Sequence, residues 1–132
     1  MEDRIGEILD GTRTVAVVGI SDRPDRPSHV VAKYLQGRGL KVIPVNPMIG
    51  EVLGEKSYRS LSEIPGKVDL VDVFRKSADV PKVAEEAVRI GARFFWMQEG
   101  VWSEPAREIL DAAGIPWVMD RCVKKELAKR GR

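Results

Sequence analysis

The stretch Thr14-Val15-Ala16-Val17-Val18-Gly19-Ile20-Ser21-Asp22-Arg23-Pro24 constrains this chain more than any other. Four apolar residues, three of them valine, follow Thr14 with no polar alternation, which is the pattern of a strand covered on both faces, and such strands belong mainly to parallel sheets flanked by helices. The run ends on Gly19, passes through a polar, proline-broken turn and gives way near Ser28 to helical spacing. Strand, glycine turn and helix together suit phosphate. The turn admits a ligand close to backbone N–H groups, and the helix start presents unpaired N–H groups and the positive end of its dipole. The positions where a dinucleotide fingerprint needs further glycines hold Ser21 and Pro24, so the usual fingerprint is broken.

A chain of 132 residues fits one domain (1–132) with a sizeable core, and 43% hydrophobic with 32% charged residues is ordinary globular composition. No apolar run reaches the ~20 residues of a membrane span. The start Met1-Glu2-Asp3-Arg4 lacks the basic-then-apolar pattern of a signal peptide, which predicts a cytoplasmic protein. One cysteine, Cys122, and one histidine, His29, leave no set spaced for zinc and no internal disulfide. A net charge of +2 argues against nucleic acid as partner, and the basic ending from Lys124 to Arg132 reads as a solvated terminal helix.

Along the chain, Arg4 to Asp10 reads as a short amphipathic helix carrying Ile5, Ile8 and Leu9. A second helix carries Val30, Val31, Tyr34 and Leu35, with Ser28 as its N-cap, His29 in its first turn, and Gly37 and Gly39 at its end. Lys41–Val45 is a second strand stopped by Asn46-Pro47. A long exposed loop through Gly50 and Gly54 leads to a helical turn at 61–64. Val68–Phe74 is a third strand, with Asp69 at its entry and Asp72 on its flank. A helix over Val80 to Val88 follows, with Pro81 in its first turn, then a fourth strand at Phe94–Met97, a helix opened by Ser103 or Glu104 and closed by Gly114, and a fifth strand at Trp117–Met119. Alternation of this kind predicts an α/β fold: a Rossmann-like doubly wound parallel sheet of about five strands in the order 3-2-1-4-5, with helices on both faces. In that order the topological switch point lies between the first and fourth strands, and the strand ends around it would hold the ligand.

Where a nicotinamide dinucleotide site usually has an acidic residue at the end of the second strand, this chain has Asn46. An uncharged amide hydrogen-bonds adenine or ribose without repelling a phosphorylated ribose, and coenzyme A carries such a phosphate. Arg23, Arg26 and Arg75 converge on the same edge as partners for phosphates. The runs Val15–Ser21, Val42–Pro47 and Val68–Arg75, the prolines Pro24 and Pro27, Trp96–Gly100 and the ending Asp120-Arg121-Cys122 together resemble the stand-alone coenzyme A-binding domain proteins. That family is similar to the domain at the start of the succinyl-coenzyme A synthetase α subunit. The resemblance implies coenzyme A as cofactor, with Gly19 and Ser21 at the diphosphate, Asn46 and Pro47 bordering the adenosine, Phe74 and Arg75 beside adenine and phosphate, and Gln98 and Gly100 flanking the pantetheine arm. With their neighbours Ile20, Arg23, Arg26, Ser28, His29 and Val45, these complete the expected binding set. The synthetase's active histidine lies outside this domain, so the resemblance implies a non-catalytic sensor or carrier of coenzyme A or acyl-coenzyme A, with an unidentified protein partner to read it. The competing readings are a small thioester enzyme using Cys122 as nucleophile and an NAD(P)-binding redox sensor.

Overall fold

The computed structural model describes residues 2–130. Met1, and Gly131 and Arg132 of the basic ending, lie outside the described residues. The elements in chain order are α1 (Glu2–Gly11), β1 (Thr14–Val18), α2 (Pro27–Gly37), β2 (Lys41–Val45), β3 (Glu51–Val52), β4 (Glu55–Lys56), β5 (Leu70–Val73), α3 (Val80–Arg89), β6 (Phe94–Met97), α4 (Glu104–Ala112), β7 (Trp117–Val118) and α5 (Val123–Lys129). Short 3₁₀ turns at Leu61–Glu63 and Ser77–Asp79 precede β5 and α3.

Five strands form one parallel sheet in the order β2-β1-β5-β6-β7. Counted by place in the chain, the order is 2-1-3-4-5, which corrects the expected 3-2-1-4-5. The third main strand, β5, inserts between β1 and β6 instead of adding outside β2. Part of the physical reason is visible at the sheet's lower edge, where the Asp69 carboxylate accepts from the Arg13 and Thr14 N–H groups at 2.9 and 3.1 Å and so ties the entry of β5 to that of β1. The switch point therefore falls between β1 and β5, and the two strand ends at Gly19 and Phe74-Arg75 become neighbours.

The alternation of side chains along each strand divides the core into two layers. Val15 and Val17 face α1, α2 and α5, packing with Ile5, Ile8, Leu35 and Leu127. Ala16 and Val18 face α3 and α4, packing with Ala84, Ala87, Ala106 and Leu110. Each helix thus covers the sheet with its apolar stripe, as the 3.6-residue spacing requires. Among the described residues no helix is long and apolar enough to cross a membrane.

Three local expectations change. The residues after Asn46 are not simply an exposed loop: β3 and β4 pair as a small antiparallel hairpin, turned by Leu53 and Gly54 at φ +55° and +76°, and Val52 is buried. Two successive positive φ values are what a two-residue hairpin turn requires. Ser28 is not the N-cap of α2. Pro27 opens that helix behind Arg26, and the Ser28 hydroxyl is used elsewhere. Asp72 does not sit on a flank: it is 0% exposed, in the middle of β5 and in register between Val17 and Trp96.

Candidate functional site

The carboxyl ends of β1, β2 and β5 meet at Gly19. Its φ of +87° belongs to the left-handed region, and a Cβ there would stand 2.8 Å from the Phe74 carbonyl oxygen and 2.9 Å from Arg75 Cδ. The glycine is thus required by close packing of the β1 and β5 ends as much as by backbone conformation. The Gly19 N–H donates to the Val45 carbonyl at 2.9 Å, and the Phe74 N–H to the Val18 carbonyl at 2.9 Å, so three strand ends are locked together beneath the turn.

Above them the turn is held by short polar links. The Ser21 N–H donates to Ser28 Oγ (2.9 Å), Ser21 Oγ accepts from the Arg23 N–H (3.0 Å), and His29 Nδ1 donates to the Ser21 carbonyl (3.0 Å). His29 is buried, and its Nδ1 proton is fixed by that carbonyl. Asn46 is a clamp: Nδ2 donates to the Ile20 carbonyl at 2.7 Å, and Oδ1 accepts from the Met48 N–H at 2.8 Å. Both ends of the amide that the sequence reading turned toward a ligand are engaged inside the protein. Ile20 itself is a core side chain, and it meets the turn through its backbone.

A cavity of about 410 Å³ opens over this turn, lined by Gly19, Ser21, Arg23, Arg26, Pro27, Ser28 and Phe74. Arg75 lies across Gly19, its guanidinium 3.4 Å from Asp79, with both side chains nearly half exposed. Such a pair is screened by water and contributes at most ~1 kcal/mol, so Arg75 exchanges Asp79 for another anion at little cost. The N–H groups of Ser28 and His29, in the first turn of α2, have no acceptor within that helix. With Arg75 packed against Gly19 alongside, two guanidinium groups, a helix start and a half-buried aromatic ring therefore surround one space at the switch point. It is suited to a phosphorylated ligand with a ring.

Gln98 and Gly100 do not line that cavity. Gln98 is 4% exposed, and its Oε1 accepts from the Val123 N–H at 3.2 Å, capping the start of α5. The Gly100 N–H, with φ at +83°, donates to Asp120 Oδ1 at 2.7 Å. Pro47 is exposed on the β2 side and Val45 is buried below Gly19. A second cavity at the same sheet edge, about 470 Å³, lies over β6 and β7 and is lined by Glu99, Trp102, Trp117, Met119, Arg121 and Lys125 among others. Sequence reasoning reached this edge through Asp120-Arg121-Cys122 but assigned no role to Trp102, Met119 or Lys125. Cys122 lines this second cavity and is 8% exposed. A third cavity, about 640 Å³ between α1 and the entry of β7, is away from the switch point and is bordered by Arg4, Asp111 and Trp117.

Asp72 is the other feature that the sequence left unassigned. Neither carboxylate oxygen has a hydrogen-bond partner, and complete burial pushes the carboxyl well above the usual range. Among the described residues no group of three or more His, Cys, Asp or Glu side chains is placed to hold a metal ion.

Comparison with known proteins agrees with this architecture. The family described as "CoA binding domain" matches residues 13–128. The YneT protein of Bacillus subtilis (strain 168) is 49% identical over 120 residues, which is 91% of this chain and 89% of YneT. An acetate–CoA ligase (ADP-forming) of Methanocaldococcus jannaschii is 30% identical over 81 residues, covering 61% of this chain but only 12% of the ligase. Among solved structures, a Pyrococcus horikoshii OT3 protein superposes with a TM-score of 0.94 at 37% identity, covering 98% of this chain and 91% of the other.

Proposed function

The chain belongs to the coenzyme A-binding domain family, and from that premise we propose that it binds coenzyme A or an acyl-coenzyme A at the β1–β5 switch point, as a non-catalytic cytoplasmic sensor or carrier. The observation that carries this reading is the convergence of Arg23, Arg26 and Ser28 with Phe74 around the cavity over Gly19, with Arg75 lying across that glycine. The diphosphate rests over the glycine turn and α2, where guanidinium groups and helix N–H groups oppose its charge. The adenosine lies toward Phe74 and the Asn46-Pro47 corner, where Asn46 holds the shape of the wall. The ribose phosphate finds arginine and meets no carboxylate at the end of β2. The pantetheine arm runs along the strand ends toward β6 and β7.

Restriction to binding is supported by His29, whose Nδ1 is tied to the Ser21 carbonyl at the start of α2. Cys122 stands at the start of α5, where a helix start favours a thiolate, and it is the residue on which the thioester-enzyme reading would rest. The stretch shared with the ligase relative is only 12% of that protein, so the ligase activity is not carried over to this chain.

Thermal denaturation with ligands at matched subsaturating concentrations tests the proposal, since a ligand bound only by the folded state raises the melting temperature by mass action. Coenzyme A should raise it more than dephospho-coenzyme A does, and NAD should leave it unchanged. Equal shifts with coenzyme A and dephospho-coenzyme A would remove the ribose phosphate from the argument. A shift with NAD alone would favour the redox-sensor reading.

A further inference from the structure

The second cavity bears on which thioester the protein takes. It lies at the same carboxyl edge of the sheet as the phosphate-facing cavity, but over β6 and β7 instead of β1 and β5. At about 4.8 Å per strand, the separation is roughly 10–14 Å. Pantetheine, about as long as four extended residues and so roughly 14 Å in reach, spans it. A ligand whose diphosphate rests over Gly19 thus delivers its sulfur end to this cavity.

The lining is apolar where it is free and polar where it is already paired. Trp102, Trp117 and Met119 supply the walls. Trp102 is 57% exposed and its backbone N–H is anchored to Ser77 Oγ at 2.9 Å, so its main chain is fixed at the cavity while more than half of the residue is uncovered. The two cations are matched inside the protein. Lys125 Nζ meets the Glu99 carboxylate at 3.0 and 3.2 Å, and Arg121 stands 3.6 Å from the buried Glu126 carboxylate. Asp120 is bound to the Gly100 N–H. The buried Glu126 carboxylate is also met by Lys129 and Arg130 at 3.5 and 3.2 Å, so the cations of the lining and the carboxylates beside them are engaged with one another. No unpaired cation among the described lining residues awaits a further carboxylate, whereas apolar surface awaits cover.

Resting on the coenzyme A reading above, we infer that this cavity is an acyl subsite selective for short uncharged acyl groups over those ending in a carboxylate. An acyl chain entering beside Trp102 and Met119 removes apolar surface from water. A terminal carboxylate finds Arg121 and Lys125 already paired with Glu126 and Glu99, and is disfavoured by loss of its hydration without a new partner.

Calorimetric titration of the full chain with coenzyme A and its acetyl, butyryl and succinyl thioesters reads this directly. Each fully buried methylene strengthens binding about fourfold, so butyryl-coenzyme A, two methylenes longer, should bind about fifteenfold more tightly than acetyl-coenzyme A, and succinyl-coenzyme A no more tightly than the acetyl form. Trp102→Ala should bring the butyryl-to-acetyl ratio to within about twofold, because the apolar wall is gone. Glu99→Gln, which releases Lys125 from its partner, should raise succinyl-coenzyme A relative to butyryl-coenzyme A. Coenzyme A binding with a flat acyl series, a preference for the succinyl thioester, or ratios unmoved by both substitutions would overturn the acyl subsite while leaving the coenzyme A reading standing. Failure of coenzyme A and all three thioesters to bind would overturn both.

Discussion

Replacing Asp72 with valine should make this protein more stable. The carboxyl is wholly enclosed between Val17 and Trp96 in the sheet, and both its oxygens lack partners. An unsatisfied buried polar group costs about 1–3 kcal/mol even when neutral. Two valine methyls in the same space add roughly 1 kcal/mol of apolar burial. The expected gain for Asp72→Val is therefore about 2–4 kcal/mol, before any effect of pH. Burial raises the folded-state pKa well above 3.8, so the native protein retains a proton that the unfolded chain releases. The sign follows: the folded state suffers no ionisation penalty below about 3.8, and stability falls as pH rises from there toward the raised folded value. Each pH unit within that window costs the wild type about 1.4 kcal/mol. Urea denaturation of wild type, Asp72→Val and Asp72→Asn across pH 4–8 measures both effects, with a constant m-value securing the comparison. Asp72→Asn keeps an unpaired polar group but cannot ionise, so its stability relative to wild type should improve with pH while most of the packing gain stays absent. A destabilised Asp72→Val, or a wild-type profile parallel to that of Asp72→Asn, would mean that the carboxyl is charged and partnered in the native protein and would refute the reasoning.

Gly19→Ala forces a side chain into a left-handed backbone position and sets its Cβ 2.8 Å from the Phe74 carbonyl oxygen; a loss of about 2–4 kcal/mol in stability is expected, and an unchanged melting temperature would show that the β1 and β5 ends are not packed as described. Arg75→Ala should weaken coenzyme A binding by on the order of 1.5–3 kcal/mol, the size of a charge-assisted hydrogen bond, while stability changes by less than about 0.5 kcal/mol because the Asp79 pair is exposed; equal affinity by calorimetry would return Arg75 to the role of a surface ion pair. Asn46→Ala, by freeing the Ile20 carbonyl and the Met48 N–H, should cost about 1–3 kcal/mol of stability, and a loss of affinity without any loss of stability would contradict its role as a clamp.

The strands were legible because their composition answers to one physical demand: Val15–Val18, Leu70–Val73 and Phe94–Met97 are buried on both faces, and only apolar runs tolerate that cheaply. Their order was not, because right-handed crossovers permit both 3-2-1-4-5 and 2-1-3-4-5. The decision rests in part on tertiary links such as Asp69 to the start of β1, which sequence spacing does not encode. The correction brings Phe74 and Arg75 against Gly19, closer than the expected order would allow. Asp72 was placed on a flank because burying a carboxyl is costly, and that reasoning fails where the acid stays neutral. Ser28 follows the composition rule for a cap, but Pro27 takes the first helical position and leaves the hydroxyl to the Ser21 N–H. Asn46 was read as facing a ligand from its place at the end of the second strand, and Gln98 from the family resemblance; in the structure their amides hold the glycine turn and the start of α5. The second cavity was the least legible, because Trp102, Met119 and Lys125 come from three separate segments.

The central claim, that the chain carries coenzyme A or its thioester at the β1–β5 switch point, is tested most directly by native mass spectrometry of protein purified gently and then mixed with coenzyme A. The account predicts one adduct per chain at the mass of coenzyme A or an acyl derivative, lost in parallel with affinity in Arg75→Ala. A bare chain that acquires no adduct on mixing, or one that takes up NAD in preference, would contradict it.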